Sequence, residues 1–262
     1  MRRVLALAFA VLLCAACGST AAKESGGGDP VAAAAKKTRE RGGTYTVAID
    51  FSKVSKTGGK YAGSGAFDGD GNFTLNVNYK GMPIHAVAAV NSANHVIVYM
   101  KSVAFAGQLP EDKTWVAADM TRLVEESGAS TKALDAVQSP GSDPTQVLGW
   151  LGSASSGTRK VGEGTVAGAH VVRYRVTVDL AKAAKEAGVA GPEAAQLERT
   201  AKSTRIPVDV SIDDAGYVRA IDEHVRVTGR IAFRVPQLGA QQAIEAPPAD
   251  EVFDVTDQIP SS

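Results

Sequence analysis

The sequence predicts an α+β fold: a strongly curved antiparallel half-barrel sheet of about 10–11 strands, with helices covering its concave face. Three observations lead to this fold class. Segments in which apolar and polar residues alternate recur along most of the chain, as in strands with one buried face. Turn sequences connect most of these segments, which favours hairpins over parallel crossovers. Short helices rich in Leu and Val interrupt the strands in mid-chain, and they can cover the inner side of a twisted, curling sheet.

The first part of the chain reads as a helix followed by an antiparallel meander. Asp29 supplies an N-cap, Pro30 suits the first helical position, and Gly42 follows the expected end of the helix. The strands after it alternate clearly, except for a Gly-rich one and two that are apolar on both faces and are expected to be central. The predicted strands are Thr44–Phe51, Lys60–Phe67, Asn72–Lys80, Ile84–Val90 and His95–Met100.

The middle of the chain changes to a helical period, and strands then return. The predicted helices are Asp119–Ser127, Thr131–Val137, Asp143–Leu151, Ala181–Ala187 and Pro192–Lys202. The later strands are Val161–Thr165, Ala169–Leu180, Pro207–Ile212, Tyr217–Val227 and Arg230–Phe233. Glu251–Val255 can add a last strand at the edge of the sheet, beyond the break made by two prolines.

The N-terminus has the pattern of an export signal. Arg2 and Arg3 precede an apolar run, Val4–Leu13, whose ten residues are too few for a membrane span, which needs roughly 20. Residues 18–28 are small, polar and Gly-rich, as in a flexible tether. We therefore predict a signal peptide at 1–16, a lipidated Cys17 with its tether at 17–28, and a single domain at 29–262.

Cys17 is the predicted site of lipid attachment. The chain has two cysteines, Cys14 and Cys17, so the mature domain contains no disulfide. The sequence Ala15-Ala16-Cys17-Gly18 resembles the bacterial lipobox, although Cys14 stands where Leu is usual. A diacylglycerol on Cys17 implies an extracytoplasmic protein on the outer face of the cell membrane. The alternative is simple secretion, with cleavage at Ala16 or after Ala22.

Composition and motifs favour a binding protein over an enzyme. Without Arg2 and Arg3 the chain has 26 basic and 28 acidic residues, a net charge of −2, which argues against binding to nucleic acid. The sequence contains neither a Gly-x-Ser-x-Gly elbow nor a phosphate-binding Gly-rich loop. We therefore expect no catalytic residues and no cofactor.

No metal site is expected either. The four histidines are scattered over different strands and lack ligand spacing. The sequence from Asp68 to Asn72 mimics the start of a calcium loop, but Tyr79 occupies the twelfth position, where a Glu is required. A hairpin turn is the preferred interpretation.

Two stretches, DPTQVLGWLGSASSGTRKVGEGTVAGAHVVRYRVTVDLAKA (Asp143–Ala183) and IPVDVSIDDAGYVRAIDEHV (Ile206–Val225), resemble actinobacterial lipoproteins of the LppX/LprG kind. The helix and strand at Ala32–Val47 fit the same pattern, so the likeness covers most of the mature chain. The resemblance implies a LolA/LolB-like half-barrel around a hydrophobic cavity, in which some members hold acylated lipids or glycolipids. It also implies an alternative, because LolA-like folds occur in envelope sensors that bind regulatory proteins.

The expected function is thus the binding or transport of an acylated lipid or glycolipid by a membrane-anchored monomer. The apolar strand and helix positions that would line the cavity are Val47, Ile49, Leu75, Val77, Val96, Val98, Leu148, Trp150, Leu151, Val176 and Val178. Trp150 can either gate the cavity mouth or serve as ordinary packing. The same residues would also fit a packed core without a cavity, in which case the domain would be an interaction or sensor module.

Overall fold

The computed structural model of the 262-residue chain describes residues 29–50, 59–79, 81–126, 144–153, 155–179, 182, 205–225, 229–239 and 243–259. The predicted signal, tether and helices Thr131–Val137 and Pro192–Lys202 lie outside these residues, as does most of Ala181–Ala187. The described part contains three α-helices, one twelve-stranded sheet and three short 3₁₀ turns. None of its helices is long and apolar enough to span a membrane.

The helices are short and separate two groups of strands. They are α1 (Pro30–Arg41), α2 (Met120–Glu126) and α3 (Pro144–Ser153). The first six strands are β1 (Gly43–Asp50), β2 (Lys60–Phe67), β3 (Phe73–Tyr79), β4 (Met82–Val90), β5 (Val96–Ser102) and β6 (Trp115–Asp119). The others are β7 (Ser155–Val166), β8 (Ala169–Asp179), β9 (Arg205–Asp213), β10 (Val218–Val225), β11 (Gly229–Leu238) and β12 (Val252–Asp254).

The sheet joins two antiparallel meanders side by side. Its strand order is β12-β6-β5-β4-β3-β2-β1-β11-β10-β9-β8-β7. Strands β1 to β6 run outward toward one edge, where β12 is the last strand. Helices α2 and α3 lie between β6 and β7, the strand at the opposite edge, and β7 to β11 return to pair with β1. All pairs are antiparallel except that between β12 and β6. The predicted large antiparallel sheet with few short helices is confirmed, whereas its curvature stays a prediction.

The core lies between one face of the sheet and the pair α1 and α3. It contains buried residues from both helices and from strands along the whole sheet. The face can be followed in register, because Val47, Phe233, Ile221 and Val210 pair directly across β1, β11, β10 and β9 and are all buried. Alternation in the sequence therefore places one side of every central strand against the helices.

Helix α1 is fixed to the sheet by a buried threonine. Asp29 caps the helix by accepting hydrogen bonds from the backbone N–H groups of Val31 and Ala32. The Thr38 hydroxyl donates to the Ala34 carbonyl at 2.7 Å and accepts from the Val218 N–H of β10 at 2.8 Å. This N–H lies next to a register shift in the β9–β10 pair, so the threonine satisfies a donor that the ladder leaves unused.

Three strands differ clearly from the sequence prediction. Strand β11 continues to Leu238, whereas the predicted strand ended at Phe233, because Pro236 and a register shift in the pairing with β1 interrupt its pattern. Strand β6 was not predicted, because Val116, Ala117 and Ala118 are buried in succession and give no alternation. Strand β7 begins at Ser155, whereas the prediction began at Val161. Gly157 has a positive φ, and the pairing with β8 shifts register twice near it, which hides the period of the strand in the sequence.

Candidate functional site

The inner face of β10 carries a carboxyl group in an otherwise apolar row. Glu223 pairs directly with Val208 of β9 and Ile231 of β11. The row continues to Val176 on β8 and Ile49 on β1, so four aliphatic residues flank a single acid in register. Glu223 is 4% exposed, and it therefore belongs to the interior of the protein.

A small cavity separates this part of the sheet from α3. Its volume is about 10 Å³, which is room for about one water molecule. The cavity is lined by Val147, Trp150 and Leu151 of α3, Val178 of β8, Ile206 and Val208 of β9, and Glu223 of β10. Six of these seven residues are apolar, so the carboxyl group is the only strongly polar feature among them.

The surroundings of Glu223 favour its neutral form. Among the described residues, its Oε2 atom is buried and has no hydrogen-bond partner. Burial raises the pKa of Glu223 to about 8, because an apolar environment disfavours the charged carboxylate. At neutral pH the group is therefore mainly protonated, and its O–H can donate a hydrogen bond into the cavity.

Helix α3 forms the roof of the cavity and is supported mainly by α1. Its apolar residues Val147, Leu148 and Leu151 recur at helical spacing and are buried, while Trp150 is half-buried. The closest backbone neighbours of α3 belong to α1 rather than to β8, β9 or β10. At the end of the helix, the Ser155 hydroxyl donates to the Leu151 carbonyl at 2.6 Å. Helix α3 is thus supported laterally by α1, and the cavity lies between α3 and the sheet.

The residues expected to line a cavity occupy three kinds of position. Trp150, Leu151 and Val178 line the cavity under α3. The remaining ones are buried in the core away from it (Val47, Leu75, Val96, Val98, Leu148 and Val176) or partly buried against the core (Ile49 and Val77).

Sequence reasoning missed four residues of the site: Val147, Ile206, Val208 and Glu223. A signal for the acid was present, because Glu223 stands two residues after Ile221 on a strand and therefore shares its face. The position of the cavity gave no such signal. It depends on where α3 crosses the sheet, and strand alternation does not encode that crossing.

A second recess lies on the opposite face of the sheet. Residues 243–248 cross this outer face and enclose about 490 Å³ against β1 to β4, β6 and β11. His85 lies there with its ring centroid 5.2 Å from that of Trp115. Its pKa is lowered by burial and by the nearby Lys101. Thr44, Thr74, Gln237 and Glu245 also line the recess, which makes it a more polar site than the inner cavity.

The other sequence motifs have local structural roles. Asp68 closes the turn between β2 and β3 by accepting hydrogen bonds from Asp70 and Asn72, as expected for a hairpin rather than a calcium loop. His95 is hydrogen-bonded to Asp119 at 2.7 Å, and the exposed His170 to Asp214 at 2.8 Å. Within the part of the chain that the structure describes, no three His, Cys, Asp or Glu side chains converge on a possible metal site.

No protein-family model matches the sequence, and no curated protein matches it. Among solved structures, LprF from Mycobacterium bovis is similar to this chain, with 14% identity and a TM-score of 0.45 over 84% of this chain and 95% of LprF. The Mycobacterium tuberculosis lipoprotein LppX has 10% identity and a TM-score of 0.42, over 83% of this chain and 100% of LppX. A chain of the Pseudomonas aeruginosa MucA/MucB complex has 14% identity and a TM-score of 0.33, over 85% of this chain and 57% of that chain.

The chain is thus similar in structure to LprF and LppX over most of its length, as the resemblance in the sequence predicts. Because the TM-scores are below 0.5, the function of this chain has to rest on its own residues.

Proposed function

We propose that this chain is an extracytoplasmic, lipid-anchored binding protein, and not an enzyme, whose single domain takes up the acyl chain of a lipid or glycolipid between its sheet and α3. The observation that carries the proposal is the apolar cavity under α3, with one unpartnered carboxyl in its wall. Each methylene group that leaves water for such a site gains about 0.8 kcal/mol, so a hydrocarbon chain needs no further attraction to bind.

Uptake of a chain requires α3 to move outward. Cavities that hold ligands usually have volumes of roughly 300–1,000 Å³, whereas this one has about 10 Å³. Outward movement of α3 breaks the packing of Val147, Leu148 and Leu151 in the core, so the burial of the incoming hydrocarbon chain has to replace these contacts. Trp150, half-buried on this helix, would then cover part of a bound chain.

The first prediction is that the purified domain binds an apolar fluorescent probe and releases it when a medium-chain fatty ester is added. Val208→Phe fills the cavity with an aromatic ring and should abolish uptake in a protein that still melts cooperatively. Val161→Phe adds the same volume at a position that is 39% exposed and serves as the matched control. Probe fluorescence and native mass spectrometry are the measurements.

Two results would contradict the proposal. One is the absence of any probe or co-purified lipid in the wild-type domain. The other is uptake by Val208→Phe equal to that by Val161→Phe, since binding would then occur elsewhere, for example in the recess on the outer face.

A second candidate function is that of an envelope interaction or sensor module with a packed core. The small volume of the inner cavity favours it, because a packed core needs no ligand. The same experiment separates the two functions, since a module of this kind takes up no apolar probe.

A further inference from the structure

Glu223 differs from the other buried acid of the described sheet. Asp213, at the end of β9, is also buried, but its carboxylate accepts from the Arg219 Nε at 2.7 Å and from the Tyr217 backbone N–H at 2.9 Å. In contrast, no described residue forms a hydrogen bond with Glu223 Oε2. The described part of the fold therefore contains one buried carboxyl that stabilises a turn and one whose Oε2 forms no hydrogen bond with a described residue.

An unpartnered buried carboxyl destabilises a protein, because it loses hydrogen bonds to water without replacing them. An aliphatic residue would complete the row of Val176, Val208, Ile231 and Ile49 without this cost. A buried polar group without a protein partner, placed in the wall of a cavity, is typical of a binding site in which the ligand supplies the missing hydrogen bond.

The surroundings define the chemistry of that partner. The side chains that line the cavity from β8, β9 and α3 are apolar, and the neighbour on β11 is Ile231. Burial is the only cause that raises the pKa of Glu223, so among the described residues, those of α1 included, no charged group stabilises its ionised form or compensates an ionic headgroup there. A protonated carboxyl donates through its O–H, so the matching ligand group is an uncharged acceptor oxygen.

We propose that Glu223 is the polar anchor of the cavity and donates a hydrogen bond to the ester carbonyl oxygen of an acyl lipid. The proposal rests on the function proposed above, and it names the ligand as an acyl ester rather than a bare hydrocarbon or an ionised fatty acid. The alkyl chain then lies along the aliphatic row beneath α3, with its ester at β10.

The test compares methyl decanoate, decanoate and dodecane as competitors of an apolar fluorescent probe. The wild-type domain should bind the ester about threefold to tenfold more tightly than the alkane, which corresponds to one neutral hydrogen bond. Glu223→Gln keeps a donor of the same shape and should retain this preference. Glu223→Met removes the donor but not the volume and should bind the ester and the alkane equally.

The pH profile provides a readout that packing alone would not change. The pKa of Glu223, raised to about 8 by burial, predicts that the wild-type preference for the ester is present at about pH 6 and declines by about pH 9, as the donor is lost. Glu223→Gln does not titrate, so its preference should be the same at both pH values.

The outcomes of this test are distinct. Equal affinities for the ester and the alkane in the wild type, or an unchanged preference in Glu223→Met, overturn the anchor while leaving uptake of acyl chains intact. A preference for decanoate over the methyl ester overturns the assignment of an uncharged ligand. Failure of every probe to bind overturns the proposed function itself.

Discussion

At the scale of single residues, Glu223 lowers the stability of the folded domain. It is buried among aliphatic side chains, with an oxygen that no described residue satisfies. Residues of this kind commonly trade stability for function, because the group that a ligand needs is a cost to the empty protein. The destabilising effect of Glu223 should therefore be measurable in unfolding experiments on the lipid-free domain.

The free energy of unfolding should depend on pH through this residue. Below the ordinary pKa of 4.5 the carboxyl is protonated in both the folded and the unfolded chain, so its contribution is constant. From pH 4.5 to about 8 the unfolded chain releases the proton while the folded chain keeps it, so wild-type stability falls as pH rises. Relative to Glu223→Gln, the loss should approach about 1.4 kcal/mol per pH unit and level off above the folded-state pKa.

Urea titrations of the wild type and Glu223→Gln across this range give the measurement. Glu223→Met should in addition be more stable than the wild type by about 1–3 kcal/mol below pH 4.5, where the carboxyl is neutral in both states, because it removes a buried unsatisfied group. This difference should grow as the pH rises toward the folded-state pKa. A difference between wild type and Glu223→Gln that is independent of pH would show that the carboxyl is solvated in the folded protein.

At the scale of elements, α1 determines where α3 lies. Helix α1 is attached to the sheet through Thr38 and the backbone of Val218, and α3 in turn packs on α1. The Thr158 hydroxyl, donating to the Asp29 carboxylate at 2.6 Å, adds a link between β7 and the capped end of α1. The roof of the cavity is therefore supported by a helix that is held both by these hydrogen bonds and by the burial of Val31, Ala34 and Ala35 in the core.

Thr38→Val tests this support. The valine has the same shape but cannot accept the hydrogen bond of the Val218 N–H, which is buried, so we expect a loss of about 1–3 kcal/mol in the free energy of unfolding. Thr38→Ser retains the hydroxyl and should lose less than half as much. Chemical denaturation of both variants is the measurement, and a larger loss in Thr38→Ser than in Thr38→Val would mean that the methyl group rather than the hydrogen bond holds α1.

At the scale of the whole molecule, the order of strands connects the edges of the sheet to its middle. The two meanders meet at β1 and β11 in the middle of the sheet. The part of the chain with α2 and α3 connects β6 to the far edge strand β7, and the part with residues 243–248 connects the central β11 to the edge strand β12. Helix α1 immediately precedes β1, the central strand at this junction. The predicted tether at 17–28 would therefore attach the membrane anchor next to the helix that supports the roof.

The anchor is tested by Cys17→Ser. Two acyl chains, at about 0.8 kcal/mol per buried methylene group, hold a protein stably on a bilayer, so their loss should move the protein from the membrane fraction to the soluble fraction. Cys14→Leu is the control, because it replaces the other cysteine by the residue that is usual at this lipobox position and should leave the protein in the membrane fraction. Fractionation with immunoblotting is the measurement. Retention of Cys17→Ser in the membrane fraction would contradict lipidation at this residue.

The sequence was sufficient to predict the antiparallel strands, α1 with its Asp29 cap, and α3, because alternation, capping and helical spacing are local patterns. It also placed Trp150, Leu151 and Val178 on faces that proved to meet at the cavity. It failed for β6, whose successive buried residues carry no period, and for the start of β7, where glycine and register shifts interrupt the pattern.

Which inward residues face empty space depends on how α3 packs on the sheet. Val47 and Val178 have the same sequence signature, yet one is packed in the core and the other lines the cavity, because α3 crosses the sheet over β8 to β10 and not over β1. The tertiary structure also buries Glu223 among aliphatic residues, and this burial favours its neutral form. Burial depends on residues far apart in the chain, and no local pattern records it.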